Sequence, residues 1–546
     1  MIRSTLTAGV LAGAALFMQP PAGAQIPDAV LAGSAANIEA DVRFLGDDLL
    51  EGREAGTRGF DLAALYVATQ YRLIGLEPAG DDGSYFQSVP LIRGVRDREG
   101  ARFAITRGDE ALEFVFEDEY LPAVNFSTGE ESISAPMVFV GQAVAAPHHD
   151  HDDFAGVDVA GKIAVVLNSA PASFPDAERA YYAHRIEKWR ALEERGAVGM
   201  ITLGDPEREA KRPWSLDAPN WKRPFMRRLD ADGRPADDFP GLRVRVSASV
   251  GIAERVFAGS PYTAAEVFAM LEAGELVSFD LAGEATLSTR ATLDRLESSN
   301  VVARLPGSDP ALSQEHIVMT AHLDHVGFGA PVNGDTLYNG VQDNAMGTAT
   351  MLETARLLAD SPESFARSFL FVALTAEEKG LLGAYHYANT PTVPADGIVA
   401  NVNMDMPVII GDVTDVIPIG IEHSTLGDVT ERAVAQADIV LTPDPAPEEV
   451  VFVRSDQYPF VRAGIPAVYL KGGVKLRDGG DGEAIVKAFR AKRYHLPSDD
   501  LDQPLYWPAA GRLAYVNYRI GSLIANDPER PQWLPDSFFG QTFGKH

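Results

Sequence analysis

The sequence predicts an α/β fold, in which a mostly parallel, doubly wound sheet carries helices on both faces and a smaller, β-rich α/β domain is inserted. From residue 300 onward, short apolar strands alternate with helical segments, the pattern of parallel strands that are buried on both faces. Between residues 116 and 290 the strands are short and the intervening segments are rich in loops. At 546 residues, the chain also exceeds what one hydrophobic core usually serves, so at least two domains are expected.

The amino terminus has the composition of a secretory signal. A basic residue, Arg3, precedes a short apolar run over 8–17, and the small residues Ala22 and Ala24 follow. We therefore assign residues 1–24 to a cleaved signal peptide, which predicts a periplasmic or extracellular protein. No later segment contains the ~20 apolar residues that cross a bilayer, so no integral membrane segment is expected after cleavage.

The remainder divides into three segments: 25–115 as the first part of the main domain, 116–290 as the insertion, and 291–546 as the rest of the main domain. Apolar spacing predicts helices over 38–50 and 62–73 in the first segment. The last segment is predicted to end in a loosely held tail from Pro528 onward. Its predicted strands cover 317–321, 368–374, 398–404 and 465–470, and its predicted helices cover 347–358 and 381–388.

The charge balance limits the range of partners. The formal net charge is -30, from 77 acidic and 47 basic residues, which disfavours nucleic acids and anionic membranes. The absence of cysteine excludes disulfides and thiolate metal sites. Any metal must therefore be held by imidazole and carboxylate groups.

Imidazole and carboxylate groups follow several of the predicted strands. The candidate metal ligands are His322, Asp343, Glu378, Asp405 and His495. Open α/β sheets bind ligands at the carboxyl ends of their strands, so these residues are expected to converge. Two histidines and three carboxylates suit two divalent ions, and their three negative charges against four positive ones leave about one charge for a bridging hydroxide.

Two further acids suit supporting roles at such a site. Asp324 is expected to accept the second ring proton of His322 and so to fix the tautomer. Neighbouring residues at the turn after a strand diverge, so we assign Glu378 as a ligand and Glu377 as the general base. Each residue also has a routine structural explanation: Asp343 suits a helix N-cap, and Glu377 with Glu378 suits an acidic first helical turn. It is their joint occurrence that favours a metallohydrolase.

The motifs around these residues resemble those of peptidase family M28, the zinc-dependent exopeptidases. They are Ala321-His322-Leu323-Asp324-His325, Gln342-Asp343-Asn344, Glu377-Glu378, Asn403-Met404-Asp405 and Tyr494-His495-Leu496-Pro497-Ser498-Asp499-Asp500. The segments 153–163 and 196–199 are similar to the protease-associated domain that is often inserted in these enzymes. The likeness implies that His322, Asp343 and Asp405 hold one zinc ion. It also implies that Asp343, Glu378 and His495 hold the other, and that Glu377 activates the bridging hydroxide.

This resemblance implies a secreted di-zinc aminopeptidase that acts on peptide substrates, with Co²⁺ or Mn²⁺ as alternative metals. A carboxypeptidase or dipeptidase of the same fold is the alternative, and it requires a cation such as Arg454 at the site. Cyclisation of amino-terminal glutamine is a related third chemistry. A non-catalytic binding protein with a peptidase fold is expected to lack ligands or the base, and this sequence lacks none of them.

Three other histidines lie close together in the predicted insertion: His148, His149 and His151. Their composition is that of a metal-binding tract, but neighbours in sequence rarely close a coordination shell, so a solvated loop is favoured. His325 and His386 are interpreted as strand-end and helix-surface groups.

Overall fold

The computed structural model describes residues 26–449 and 451–545. The predicted signal peptide, 1–24, lies outside the described residues. The remainder is a mixed α/β structure with a large central sheet, as the sequence predicts. Its helices are Asp28–Leu45, Arg58–Ile74, Asp176–Ala183, Arg185–Glu194, Pro206–Lys211, Trp214–Asp217, Ala253–Phe257, Ala264–Ala273, Met346–Ala359, Leu382–Asn389, Leu426–Val434, Gln457–Arg462, Gly482–Lys492, Trp507–Asn526 and Phe538–Phe543.

The central sheet has parallel strands in its middle and antiparallel strands on either side. Four parallel strands run side by side in the order Ser368–Leu374, His316–His322, Ile398–Asn403 and Ala467–Gly472. The flanking strands are Glu77–Pro78, Phe86–Arg96, Phe225–Arg228, the second half of Phe279–Leu305, Asp415–Ile419 and Val440–Leu441. Because the four middle strands are parallel, their carboxyl ends meet at one edge.

Helices cover both faces of this sheet, which explains why its strands are continuous apolar runs. Side chains alternate between the faces along a strand. Val301 and Ala303 therefore pack on the layer that contains Phe60, while Val302 packs on the opposite layer with Tyr387. All five side chains are fully buried. Burial on both faces removes the polar alternation of a half-exposed strand.

A second, smaller sheet is formed mostly by residues 116–290, the predicted insertion. Its strands are Arg102–Arg107, Glu110–Glu113, Tyr120–Pro122, Glu130–Phe139, Ile163–Leu167, Gly199–Leu203, Val244–Ala248 and the first half of Phe279–Leu305. This sheet begins before residue 116, where the sequence predicts the insertion to start. Two short hairpins complete the strands, Ala145–Ala146 with His151–Asp152 and Gly327–Val332 with Asp335–Tyr338.

One long strand, Phe279–Leu305, belongs to both sheets. Residues 279–290 pair with Glu130–Phe139 in the smaller sheet, and residues 291–301 pair with Phe86–Arg96 in the larger one. The insertion is thus joined to the main domain by a continuous β-ladder. Among the described helices, none combines the length and the apolar character needed to cross a membrane.

The carboxyl-terminal segment differs from its prediction as a loose tail. Trp533 forms a bridge with Ser424, and Phe539 in the last helix is fully buried. The Phe539 ring lies 5.1 Å from that of Phe452 and 5.0 Å from that of His423, measured between centroids. The segment is short and has little hydrophobic periodicity. The burial of its aromatic residues depends on contacts with distant segments, so it could not be predicted from the local sequence.

We expect Phe539→Ala to lower the free energy of unfolding by about 3–5 kcal/mol, because it leaves a cavity in this aromatic cluster. Urea unfolding followed by intrinsic fluorescence measures the change. Gln541→Ala is the matched control, since Gln541 is exposed on the same helix. Equal destabilisation by the two variants would show that Phe539 does not anchor the segment.

Candidate metal centre

His322 and Asp405 form the first part of the centre. His322 is the last residue of its strand, and Asp405 lies two residues beyond the neighbouring parallel strand. Nε2 of His322 lies 3.1 Å from Oδ1 of Asp405 and 3.3 Å from Oδ1 of Asp343. The other Asp405 oxygen, Oδ2, accepts a hydrogen bond of 2.7 Å from the Ser455 hydroxyl. One imidazole nitrogen therefore faces two carboxylates inside the protein.

His495 and Glu378 form the second part. Nε2 of His495 lies 3.1 Å from Oδ2 of Asp343 and 3.1 Å from Oε2 of Glu378. Asp343 thus directs one oxygen to each part of the centre. All five predicted ligands come together, and the two parts share a single carboxylate, as a bridged pair of cations requires.

His325 also lies in the centre, although the sequence predicts an ordinary strand-end group. Its Nδ1 lies 2.8 Å from Oε1 of Glu378 and 3.9 Å from Oδ2 of Asp343. The imidazole is fully buried and, among the described residues, neither of its nitrogens makes a hydrogen bond. One feature of the sequence points to this position: His325 directly follows His322-x-Asp324, after the end of the same strand.

Asp324 does not have the predicted contact with His322. Nδ1 of His322 lies 3.1 Å from the backbone carbonyl of Asp324, and 4.0 Å from its carboxylate. The carboxylate instead accepts hydrogen bonds from the backbone N–H groups of Glu377, at 3.0 Å, and Glu378, at 3.3 Å. The turn after the adjacent strand points these amides at Asp324, so the acid orients Glu377 and Glu378 rather than the imidazole.

Asp499 positions the bridging acid through the backbone. Its carboxylate accepts hydrogen bonds from the N–H groups of Gln342, at 3.0 Å, and Asp343, at 3.1 Å. Asn344 secures the other side, since its side-chain amide donates to the Met404 carbonyl at 2.9 Å. The bridging carboxylate is therefore fixed from both directions. Asp499 belongs to the same short motif as His495, but its role cannot be inferred from spacing.

Arg53 supplies a buried positive charge next to these acids. Its guanidinium donates to the carbonyls of Leu323, Asn339 and Gly340 at 2.8–2.9 Å. Burial lowers the pKa of Arg53 to about 10, and nearby acids including Asp324 and Asp499 partly oppose the shift. The side chain therefore joins two loops of the centre, at Leu323 and at Asn339–Gly340, and offsets part of the negative charge nearby.

The clustered carboxylates shift the proton affinities of the centre strongly. Burial alone lowers the pKa of His322, but Glu377 and Asp405 outweigh it and raise that pKa well above its usual value. Burial likewise opposes a raised pKa at His495, yet Glu378 and Asp343 bring it to about 10. Both imidazoles thus hold a proton, and its positive charge, more tightly than usual. Divalent cations at the same position would supply that charge, so the donor set fits metal ions.

The pKa of Glu377 is also raised, but here burial and the neighbouring acids act in the same direction. Burial raises its pKa well above the usual value, and Glu378, Asp456 and Asp405 add to the shift, although His322 lowers it. A carboxylate with a raised proton affinity next to metal ligands suits a group that takes up and releases a proton.

Three other polar side chains are not among these ligands. The Arg454 guanidinium pairs with Glu449 at 3.4 Å, and half of its side chain is exposed. Gln457 is buried and accepts a hydrogen bond of 2.9 Å from Asn403. His386 lies in the helix Leu382–Asn389, where burial lowers its pKa to about 4.

Comparison with known families agrees with this geometry. A model of peptidase family M28 matches residues 300–520, the span that holds every proposed ligand. We call residues 300–520 the M28 segment, because they are similar to that family. The M28 segment starts within the strand that the two sheets share and ends in the helix Trp507–Asn526.

Similar proteins include aminopeptidases. Aminopeptidase YwaD of Bacillus subtilis (strain 168) is 33% identical over 106 residues, which cover 19% of this chain and 20% of the relative. The probable lipoprotein aminopeptidase LpqL of Mycobacterium tuberculosis (strain ATCC 25618 / H37Rv) is 27% identical over 278 residues, 47% of this chain and 52% of LpqL. The chain therefore matches about a fifth and about half of the lengths of these curated relatives.

The likeness to a solved structure extends beyond the M28 segment. The structure of an aminopeptidase from Aneurinibacillus sp. strain AM-1 superposes with a TM-score of 0.53, at 19% identity. The match covers 92% of this chain and 97% of that one. At this identity the comparison concerns the fold, which the two chains share over almost their whole length.

We expect Asp499→Asn to weaken zinc binding about 10–100-fold, because an amide cannot accept both backbone hydrogen bonds that fix the Asp343 segment. Competition with a chromophoric chelator measures the affinity. Asp500→Asn is the control, since the Asp500 carboxylate accepts from the Asp502 amide instead. Equal affinities in the two variants would contradict the role of Asp499.

Proposed function

We propose that the protein is a secreted di-zinc aminopeptidase that removes residues from the amino terminus of peptides. The observation that carries this proposal is the position of the Asp343 carboxylate between two histidines. Its Oδ1 faces His322 and its Oδ2 faces His495. A carboxylate shared in this way, with a base of raised pKa beside it, suits hydrolysis by a bridged metal pair. The M28 match over the same residues supports the assignment.

Each proposed metal position has three protein ligands. His322, Asp343 and Asp405 would hold one ion, and Asp343, Glu378 and His495 would hold the other. When bound, the ions would polarise the peptide carbonyl and lower the pKa of a water molecule between them. Nitrogen and oxygen donors also suit Co²⁺ and Mn²⁺, which remain alternatives to Zn²⁺.

Glu377 would act as the general base and then as the general acid. Its carboxylate takes a proton from the attacking water and passes it to the amine that leaves when the peptide bond breaks. The position of Glu377 depends on Asp324, which accepts its backbone N–H at 3.0 Å. Asp324 is thus a positioning residue in this proposal, and its effect on catalysis passes through Glu377.

The specificity for the amino terminus is supported by the names of the relatives and by the excess of carboxylates, which favours a substrate ammonium group. One observation favours the alternative carboxypeptidase or dipeptidase. Arg185 of the insertion packs against the loop after Glu378, where a side chain at Gly380 would collide with its guanidinium. This cation, rather than Arg454, would be the one to meet a substrate carboxylate.

The proposal also includes export of the protein and the assignment of the insertion as a protease-associated domain. The composition of residues 1–24 supports a cleaved signal peptide and a periplasmic or extracellular location. The small sheet between the two parts of the peptidase domain is consistent with a protease-associated domain.

We expect Glu377→Gln to lower kcat by about 10²–10⁴-fold, because the amide cannot accept the proton. Steady-state hydrolysis of a short peptide measures the rate. Metal content is expected to equal that of the wild type, since Glu377 is not a proposed ligand. Glu378→Gln is the comparison and should lose bound metal. Unchanged turnover in Glu377→Gln would refute its role as base.

A set of peptides with blocked ends tests which terminus is recognised. We expect acetylation of the amino terminus to abolish cleavage and amidation of the carboxyl terminus to preserve it, because only the first removes the substrate ammonium. Chromatography of the products measures both reactions. The reverse result would establish the carboxypeptidase alternative, and cleavage of both blocked peptides would exclude an exopeptidase.

A further inference from the structure

A second group of metal-binding side chains lies in the insertion. The short turn Pro147–His149 carries two histidines, and the helix Asp176–Ala183 carries Glu178. Nε2 of His148 lies 2.6 Å from Oε2 of Glu178, and Nε2 of His149 contacts the same oxygen. The three donor atoms lie within 4.8 Å of one another. The sequence places Glu178 about thirty residues after the histidines, so their spacing gave no sign of this convergence.

Aromatic packing holds the two imidazoles in place. The His149 ring stacks on Phe174 with centroids 4.2 Å apart and an angle of 26° between the planes. Phe174 is itself buried, so it forms a fixed support for the ring. The ring of His148 lies 4.5 Å from that of His149. The orientation of both donors is therefore set before any ligand arrives, which reduces the entropy that binding would cost.

Among the described residues, only these two histidines form ion pairs with Glu178. Its helical neighbour Arg179 pairs with Asp176, at 3.2 Å. His151, from the same loop, faces Asp153 at 3.2 Å and does not join the group. The side chain of Glu178 is 14% exposed. A largely buried carboxylate thus has two imidazoles as its partners and no permanent cation.

We propose that His148, His149 and Glu178 form a third site for a divalent transition metal of the zinc type. Two imidazole nitrogens and one carboxylate oxygen are a preferred donor set for Zn²⁺, which takes four ligands in a tetrahedral arrangement. Nearly half of the His148 side chain is exposed, so solvent supplies the fourth ligand. The site shares no residue with the M28 centre and does not depend on the proposed peptidase activity.

Metal bound here would join three segments of the protein. The turn Pro147–His149 and the helix Asp176–Ala183 would be linked directly. Phe538 lies beside them, with its ring 6.3 Å from that of His148 and 5.4 Å from that of Tyr181. The bound ion would therefore stabilise the contact between the insertion and the carboxyl-terminal helix.

The test is a count of bound zinc on the full-length chain. Protein stripped with a chelator is dialysed against Zn²⁺, and bound metal per chain is measured by atomic emission. We expect the double variant His148→Gln/His149→Gln to bind about one zinc ion fewer than the wild type, since three-ligand sites do not survive the loss of two ligands. His151→Gln is the matched control from the same loop, and its zinc content should not change.

A second comparison separates this site from the M28 centre. In a chain with Asp343→Ala and Glu378→Ala, which takes a carboxylate from both candidate groups of the first centre, we expect about one zinc ion to remain, and adding Glu178→Gln should remove it. Glu178→Gln preserves the size of the side chain, so it also serves if the double histidine variant does not fold. The proposal would be overturned if Glu178→Gln did not change the zinc content. It would also be overturned if His148→Gln/His149→Gln bound as much zinc as the wild type.

Discussion

The burial of many carboxylates in one place is the constraint on which the structure of the M28 segment depends. Asp343, Glu378 and Asp405 lie within contact of two imidazoles, and each is largely excluded from water. Buried charges of one sign repel, so such a cluster persists only with compensating positive charge. The buried guanidinium of Arg53 supplies part of it. Without metal, protons on His322 and His495 would add to it, and bound metal would displace those protons. The proposed metal ions would supply the remainder.

The backbone of the sheet explains why this cluster can form at all. Parallel strands bring residues that are far apart in sequence to one edge, where their carboxyl ends meet. Asp324 and Asp499 then accept backbone N–H groups from the segments that carry Glu377 and Asp343. Much of the polar network around the centre therefore fixes loops rather than substrate. Side chains whose positions are fixed in advance lose little entropy when a ligand binds.

Sequence reasoning predicts the strands well, and the five side chains that it names as ligands lie together, because both predictions depend on strong local patterns. The predicted strand over 368–374 agrees with Ser368–Leu374, and the helix over 347–358 agrees with Met346–Ala359 to within one residue at each end. Contacts between distant segments could not be predicted in the same way. Neither the hydrogen bonds of Asp324 nor the buried position of His325 follows from spacing, because both depend on how neighbouring loops pack. The burial of Phe539 was missed for the same reason.

The strand Phe279–Leu305 has a mechanical consequence. Its first half completes the smaller sheet. In the larger sheet, residues 291–301 pair with Phe86–Arg96 and residues 301–305 pair with Ser368–Leu374. A swinging motion of the insertion as a separate lid would have to bend this strand or break backbone hydrogen bonds along it. Excision of the insertion would likewise have to spare residues 291–305, since their removal would expose two unpaired strand edges to aggregation.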